Sequence, residues 1–456
     1  MKVLWICNLI LPEIAAEMGL GTIPKEGWVK GLLDAMLTLK HNECSNYSQA
    51  FDISFAFPVS RAVIEHSGSG ENVVWGKAQL QDYPDELVEY YGFYEDTAHE
   101  SIYDEALEGS FREIFKSAKP DIVHCFGTEF PHTLAAAKVW NNPKRLLIGI
   151  QGPCTIYAER YTSHLPDRIV NRHTFRDFLK KDSVREQKDK YTVRGENERA
   201  AVKLAGHIAG RTAFDKMLAN TWNESAEYHY SGETLRKVFY SGEWSASNCE
   251  PYRIFVSQAD YPLKGFHFLL KAVGELLKNA DTNKVGDIQI YVAGQSVVDY
   301  KTLKQRIKIS SYGKYLRSLL SEYDLADRVH ILGRLSAEQM KEQYLKCDTY
   351  VCCSECENSP NSLGEAMILK VPIVTARVGG ITSVFDADKD GYSYRNEPED
   401  NLEQVVEALR NALLERWNAV DYDDRRNNAH EHAKRNHNPE KNAAGVIDIY
   451  SKMIAE

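Results

Sequence analysis

At 456 residues, 43% of them hydrophobic and 26% charged with no low-complexity tract, the chain is too long for one ordinary core, and two domains are expected. A net charge of −10 sets aside a dedicated nucleic-acid binder. No apolar run reaches the about 20 residues that cross a bilayer, and nine cysteines scattered through apolar runs predict reduced thiols in a cytoplasmic protein.

In chain order, the opening apolar run is broken by Asn8 and reads as a buried first strand rather than a leader. Strands are predicted over 2–6, 52–57, 122–126, 146–151 and 207–210, with helical spacing over 105–117 and 133–140. Beyond a junction near 240–251 the rhythm restarts. Strands at 253–257, 288–293, 329–332, 349–352 and 373–375 alternate with helices at 266–277, 337–346, 363–369 and 402–415. Pro439 opens a last helix over 440–454, with Ala444, Ile447, Ile449, Tyr450 and Ile454 as its apolar positions. The pattern predicts an α/β protein of two Rossmann-like domains. The first covers 1–240 plus the returning helix 438–456, and the second covers 241–437. Ligands of such sheets sit outside the carboxyl ends of the strands, so loops at those ends hold the candidate site residues.

Arg168, Arg172, Arg176 and Lys180 recur every four residues, which on one helix gathers four cations on a face. Such a face suits an anionic membrane or a lipid-diphosphate acceptor, and it equally suits an ordinary solvated helix paired with Asp177 and Glu186.

The run Glu357-Asn358-Ser359-Pro360-Asn361-Ser362-Leu363-Gly364-Glu365 follows a buried strand and opens a helix. On one continuous helix the two acids would stand about 12 Å apart, farther than the roughly 5–9.5 Å of carboxylate pairs working on one glycosidic bond. They therefore suit opposite ends of an extended ligand. Between them, free N–H groups at a helix start suit a diphosphate, although an ordinary capped helix has the same outline. Tyr261-Pro262-Leu263-Lys264-Gly265-Phe266 follows another strand, where a lysine can neutralise a leaving diphosphate. Gly380 and Gly294 allow close backbone approach after their strands. In the first half, Glu129 and His132 follow the strand ending at Phe126 and are candidates for acid–base work. Gln151 closes another strand, and Glu26, Gly27 and Trp28 open the first helix; these are candidate acceptor contacts.

Together the Glu-x7-Glu element, the Pro-x-Lys-Gly loop and the two-half pattern resemble the retaining glycosyltransferases of family four. The resemblance implies a GT-B fold, with the two domains facing an interdomain cleft and the C-terminal helix crossing back to the first domain. It implies that Glu357 lies near the transferred sugar, that Glu365 binds the nucleotide ribose and that Lys264 holds phosphate. It also implies that Arg334 and Leu335 line the base pocket and that Asn358, Ser359, Asn361, Ser362 and Leu363 complete the donor site. The co-substrate is then a UDP or GDP sugar, with no tightly bound cofactor and no metal required, since Lys264 and helix N–H groups meet the diphosphate charge. The acceptor is a glycan or lipid-linked saccharide of surface polysaccharide assembly, and the protein is cytoplasmic or peripheral at the inner membrane face. Two departures stand out. Gln258 occupies a position where many relatives carry arginine, and Phe126 one where a functional histidine often stands. They keep open a non-catalytic, nucleotide-sugar-binding partner subunit as the alternative, beside a weaker epimerase or phosphorylase reading. Arg211, in Gly210-Arg211-Thr212-Ala213-Phe214-Asp215, is expected to pair with Asp215. Cys352, Cys353 and Cys356 lack the second ligand pair of a zinc site, so metal binding is not expected.

Overall fold

Fourteen strands among the described residues of the computed structural model form two sheets, one in each of two compact units. The described residues are 1–21, 27–42, 47, 51–66, 72–278, 287–298 and 302–456, so Glu26 lies outside them. The first unit comprises 1–155, 190–235 and 437–456; the second comprises 156–189 and 236–436.

In the first unit, strands β1 (Lys2–Cys7), β2 (Asp52–Val59), β3 (Val73–Gln79), β4 (Leu87–Tyr94), β5 (Ile122–Phe126), β6 (Leu146–Gly149), β7 (His207–Gly210) and β8 (Glu227–Tyr230) lie in the order β3-β4-β2-β1-β5-β6-β7-β8. All neighbours pair in parallel except β3 with β4. Central β1 and β5 are apolar and buried on both faces, as parallel strands covered by helices must be. Edge strand β3 instead alternates, leaving Trp75 63% exposed. The helix Pro439–Ala455 belongs to this unit, as expected for a returning segment. Its Ala443, Val446, Ile447, Tyr450 and Met453 enter the core. Trp5 Nε1 donates to the Tyr450 hydroxyl at 2.9 Å, and that hydroxyl stands 2.6 Å from His124 Nδ1. Burial pushes His124 down to about 3, so the ring is neutral and takes the tyrosine proton.

In the second unit, β9 (Glu250–Val256), β10 (Gln289–Val292), β11 (Val329–Ile331), β12 (Cys347–Cys352), β13 (Ile373–Ala376) and β14 (Tyr392–Tyr394) form an all-parallel sheet ordered β11-β10-β9-β12-β13-β14. Strand order reverses between β9 and β12. In open parallel sheets that switch point is where the loops part and a ligand site opens.

Residues 156–189, expected with the first domain, cluster with the second unit. Asp177 is fully buried and holds them there. It closes a capping box with Thr174 and accepts the Ser311 backbone N–H at 2.9 Å. The four-cation helix face does not form. The segment makes two short helices, Asp167–Val170 and Phe175–Lys180, and Thr174 starts the second as its N-cap. Arg168 and Arg172 therefore leave the helix that carries Arg176 and Lys180, and Arg176 is tied to Asp177 and Asp182. Replacing Asp177 by alanine strips two backbone N–H groups, those of Thr174 and Ser311, of a charged acceptor and is expected to cost about 3 kcal/mol. A lowered Tm with faster amide exchange over 174–182 is the expected result; unchanged exchange there would show that other contacts dock the segment.

Candidate functional site

Beyond β9 the chain turns through Pro262–Lys264 into Gly265, whose φ is +64°. A Cβ at Gly265 would stand 1.8 Å from the Cys353 carbonyl oxygen, so only glycine lets this loop run beside the end of β12. Glu355 N–H donates to Leu263 O at 2.8 Å, and the Cys353 thiol faces Lys264 O at 3.3 Å. This close seam brings Lys264 Nζ to 2.6 Å from Glu357 Oε1, with the Ser354 hydroxyl donating to the same oxygen at 2.7 Å. Lys264 is 19% exposed in its side chain and Glu357 9%, so the pair borders solvent without being bathed in it. Burial disfavours the ammonium, but the Glu357 carboxylate and the Tyr261 phenol outweigh it and hold Lys264 well above the usual lysine range. Gly380 N–H donates to Glu357 O at 2.9 Å, which fixes the backbone of the acidic residue.

The helix Asn361–Ile368 starts at Pro360 with no side-chain cap. Five other helices are closed by capping boxes at Thr174, Thr212, Thr302, Ser336 and Asn401. Its first turn thus keeps the electropositive end that other helices cover. Glu357 lies in the loop ahead of this helix, so the two acids do not share one helix as the simple spacing assumed. Glu365 is buried. Arg236 grips its Oε1 from Nε at 3.1 Å and Nη2 at 2.7 Å, and the Tyr344 hydroxyl reaches Oε2 at 3.3 Å. Tyr350 donates to Ser362 Oγ at 2.8 Å, while Ser359 and Asn361 are half-buried and Asn358 is buried. Leu363 departs from the donor reading. Its side chain is in the core and its N–H is spent on Pro360 O at 2.9 Å, so it offers a ligand nothing.

Of the remaining donor candidates, Gly294 bridges to Gly333 with N–H to O at 2.8 Å, joining the loops after β10 and β11. Arg334 is exposed beside that bridge, and Leu335 and Gln258 are half-buried. Beneath the turn lies a cluster that sequence reasoning missed. Glu355 is buried with Oε2 3.1 Å from Arg160 Nη2 and Oε1 2.7 Å from His164 Nδ1, while His164 Nε2 stands 2.8 Å from Asp400 O. Facing two oxygen acceptors, the imidazole is held in its charged form. Burial opposes this, and the Glu355 hydrogen bond and charge raise it above the usual histidine value. Residues 195 positions apart meet here, and neither motif nor periodicity marks them.

In the first unit, Trp28, His124, Phe126, Gln151, Arg211 and Glu233 border a small open cleft at the carboxyl ends of the central strands. Gly27 begins the helix Gly27–His41 that carries Trp28. The Arg211 guanidinium does not pair with Asp215 as expected. It donates to Gln151 Oε1 at 2.8 Å and lies 3.0 Å from Glu233, while the Asp215 carboxylate accepts the Arg211 backbone N–H at 2.9 Å, together with the Thr212 N–H and the Tyr228 hydroxyl. His132 is withdrawn from any acid–base role. It is 1% exposed, with Nδ1 2.8 Å from Glu95 Oε2 and its backbone N–H on Glu95 Oε1. Glu129 differs, because its Oε2 is shut from solvent and has no hydrogen-bond partner among the described residues. Burial, only partly offset by its own backbone N–H and by Arg194, pushes the carboxyl up to about 7.

Cys352, Cys353 and Cys356 are buried free thiols. The one metal-ligand-like group among the described residues is His207, Glu227 and His229. Its imidazoles bond each other at 2.9 Å and Lys452 pairs with Glu227, so its members already have partners.

Because the folded Glu129 carboxyl binds a proton that the unfolded chain releases near pH 4.5, stability should fall as pH climbs from there to about 7 and level off above. Glu129→Gln is expected to remove that slope and to gain up to about 3 kcal/mol at neutral pH. Urea unfolding across pH measures it, and an unaltered slope in the variant would assign the proton elsewhere.

Residues 243–435 match the family model for glycosyl transferases group 1. A putative colanic acid biosynthesis glycosyltransferase, WcaL of Salmonella typhimurium, is 23% identical over 197 residues; the match covers 40% of this chain and 47% of that relative, about half its length. Among solved structures, a sucrose-phosphate synthase from Thermosynechococcus elongatus superposes over 100% of both chains with a TM-score of 0.63 at 13% identity. HepE of Anabaena, in complex with UDP and glucose, covers 99% of this chain and 100% of its own with a TM-score of 0.59 at 13% identity. The structural likenesses establish the GT-B fold of two Rossmann-like domains, and with the family match they support a GT-B glycosyltransferase.

Proposed function

We propose that this protein is a retaining, family-four-type transferase that moves a hexosyl group from a UDP or GDP sugar to a hydroxyl of a glycan or lipid-linked saccharide in polysaccharide assembly. The observation that carries the reading is the Lys264–Glu357 pair, 2.6 Å apart at the switch point of the second sheet beside a helix start without a side-chain cap. The UDP complex of HepE and the colanic acid role in the name of WcaL support the choice of donor and pathway class.

In this reading the diphosphate draws the Lys264 ammonium toward itself and caps the helix Asn361–Ile368, while Glu357 turns to the sugar hydroxyls. Glu365, held in place by Arg236, accepts from the ribose. The bond from the anomeric carbon to the β-phosphate oxygen breaks as the acceptor oxygen bonds the same face. The acceptor proton passes to the departing phosphate oxygen, so no covalent nucleophile is needed. The first unit's cleft, with Trp28, Gln151 and Glu129 at or near it, receives the acceptor. The diphosphate charge is met by Lys264 and helix N–H groups, and transfer is expected to survive EDTA.

The test is a transfer assay with nucleotide sugars, reading the anomeric configuration of the product by NMR; inversion would refute the mechanism. Lys264→Ala is expected to lower kcat by about 100-fold or more, as loss of leaving-group stabilisation does elsewhere. Glu365→Gln should mainly weaken nucleotide binding, by about tenfold, with turnover at saturating donor little changed. Equal effects of both variants on free nucleotide affinity would contradict this division of roles. Absence of even slow donor hydrolysis by the wild type would favour the non-catalytic partner subunit, a reading that Gln258 and Phe126 motivate.

A further inference from the structure

Five of the fifteen large apolar side chains exposed among the described residues sit on two six-residue helices of the second unit that pack beside each other. On Phe175–Lys180 they are Phe175 (61% exposed), Phe178 (74%) and Leu179 (64%), which share one face by their i, i+3, i+4 spacing. On Leu303–Lys308 they are Leu303 (74%) and Ile307 (45%), again one turn apart. The opposite face of the first helix is anchored by fully buried Asp177. The fold therefore holds the apolar face outward. A contiguous exposed apolar patch on an otherwise polar surface marks an interaction site.

The charges around it select the partner. Residues 167–182 and 302–308 carry eight Lys or Arg against three carboxylates, Asp167, the buried Asp177 and Asp182, on a chain whose net charge is −10. Arg172, Lys180, Lys181, Lys304, Arg306 and Lys308 are all exposed. A second copy docked by two-fold symmetry would bring these cations against their own counterparts, which costs association energy. An anionic lipid surface meets both features, because headgroups take the cations while the aromatic and leucine side chains enter the acyl boundary. We infer that the paired helices Phe175–Lys180 and Leu303–Lys308 dock the protein on an anionic membrane. This replaces the single four-cation helix suggested by spacing alone, and it stands independently of the transfer chemistry proposed above.

Co-sedimentation of the full chain with phosphatidylcholine vesicles, with and without about 30% phosphatidylglycerol, tests it. The wild type is expected to partition about tenfold or more better onto the anionic vesicles and to be released in about 0.5 M salt. The combined Phe178→Ser, Leu179→Ser and Leu303→Ser variant should lose about tenfold in partitioning with an unchanged Tm, since all three side chains are exposed. Val420→Ser, at a 97% exposed position outside the patch, should bind like the wild type. No binding to anionic vesicles, equal binding to both vesicle types, or undiminished binding by the triple variant would each overturn the inference. So would a wild-type dimer, seen by sedimentation, that the triple variant abolishes.

Discussion

An ammonium and a carboxylate 2.6 Å apart, at the point where the second sheet reverses its strand order, organise the local structure on which the functional reading rests. Neither charge could occupy so sheltered a place alone, because removing one partner of a nearly buried pair leaves the other uncompensated. The surroundings are built to keep the two together. Gly265 permits backbone contact between the loops after β9 and β12, Ser354 adds a hydroxyl to the shared carboxylate oxygen, and Gly380 holds the Glu357 carbonyl. The lysine is thus already positioned and already charged. An incoming anion has only to compete for it, which costs less than ordering a free side chain.

Behind that pair the sheet is braced by a segment that comes from elsewhere in the chain. Arg160 and His164 converge on Glu355, two residues before Glu357, and Asp177 ties the same segment to Ser311. Two cations around one buried carboxylate satisfy its lone pairs and leave no unpaired negative charge beneath the turn that carries Glu357. The excursion over 156–189 also turns the apolar faces of two short helices outward. One stretch of sequence therefore serves both as a brace for the Glu357 turn and as a base for a surface patch.

The central strands were legible because fully buried parallel strands are short unbroken apolar runs: β5 and β7 lie over 122–126 and 207–210 as expected. The hairpin β3–β4 was not, since edge strand β3 alternates and carries Gly76 in its middle. The long helix Val184–Val202 escaped notice because it is charged on nearly every side and shows almost no amphipathic period. In the candidate site, residues close together in sequence could be proposed from a motif, as Glu357, Ser362 and Glu365 were. Partners that only tertiary folding supplies could not, such as Arg236 for Glu365, Tyr450 for His124 or Glu95 for His132. The equal spacing of Arg168, Arg172, Arg176 and Lys180 misled for a related reason, because Thr174 caps a new helix within it and local capping overrides a four-residue period.

Gln258 gives the uncapped helix start its weight. An amide there contributes dipoles but no charge; among the described residues Glu357 forms an ion pair with Lys264 alone, and that acid already answers part of the lysine's field. A diphosphate carries more negative charge than one shared lysine can balance. In the proposed reaction the remainder falls on backbone N–H groups and on the dipole of Asn361–Ile368, which strengthens as water is excluded from the turn. A side-chain cap at position 360 would fill that role permanently and shut the ligand out. Proline has no side-chain acceptor, begins the helix without closing it, and so leaves the electropositive end open to the proposed donor.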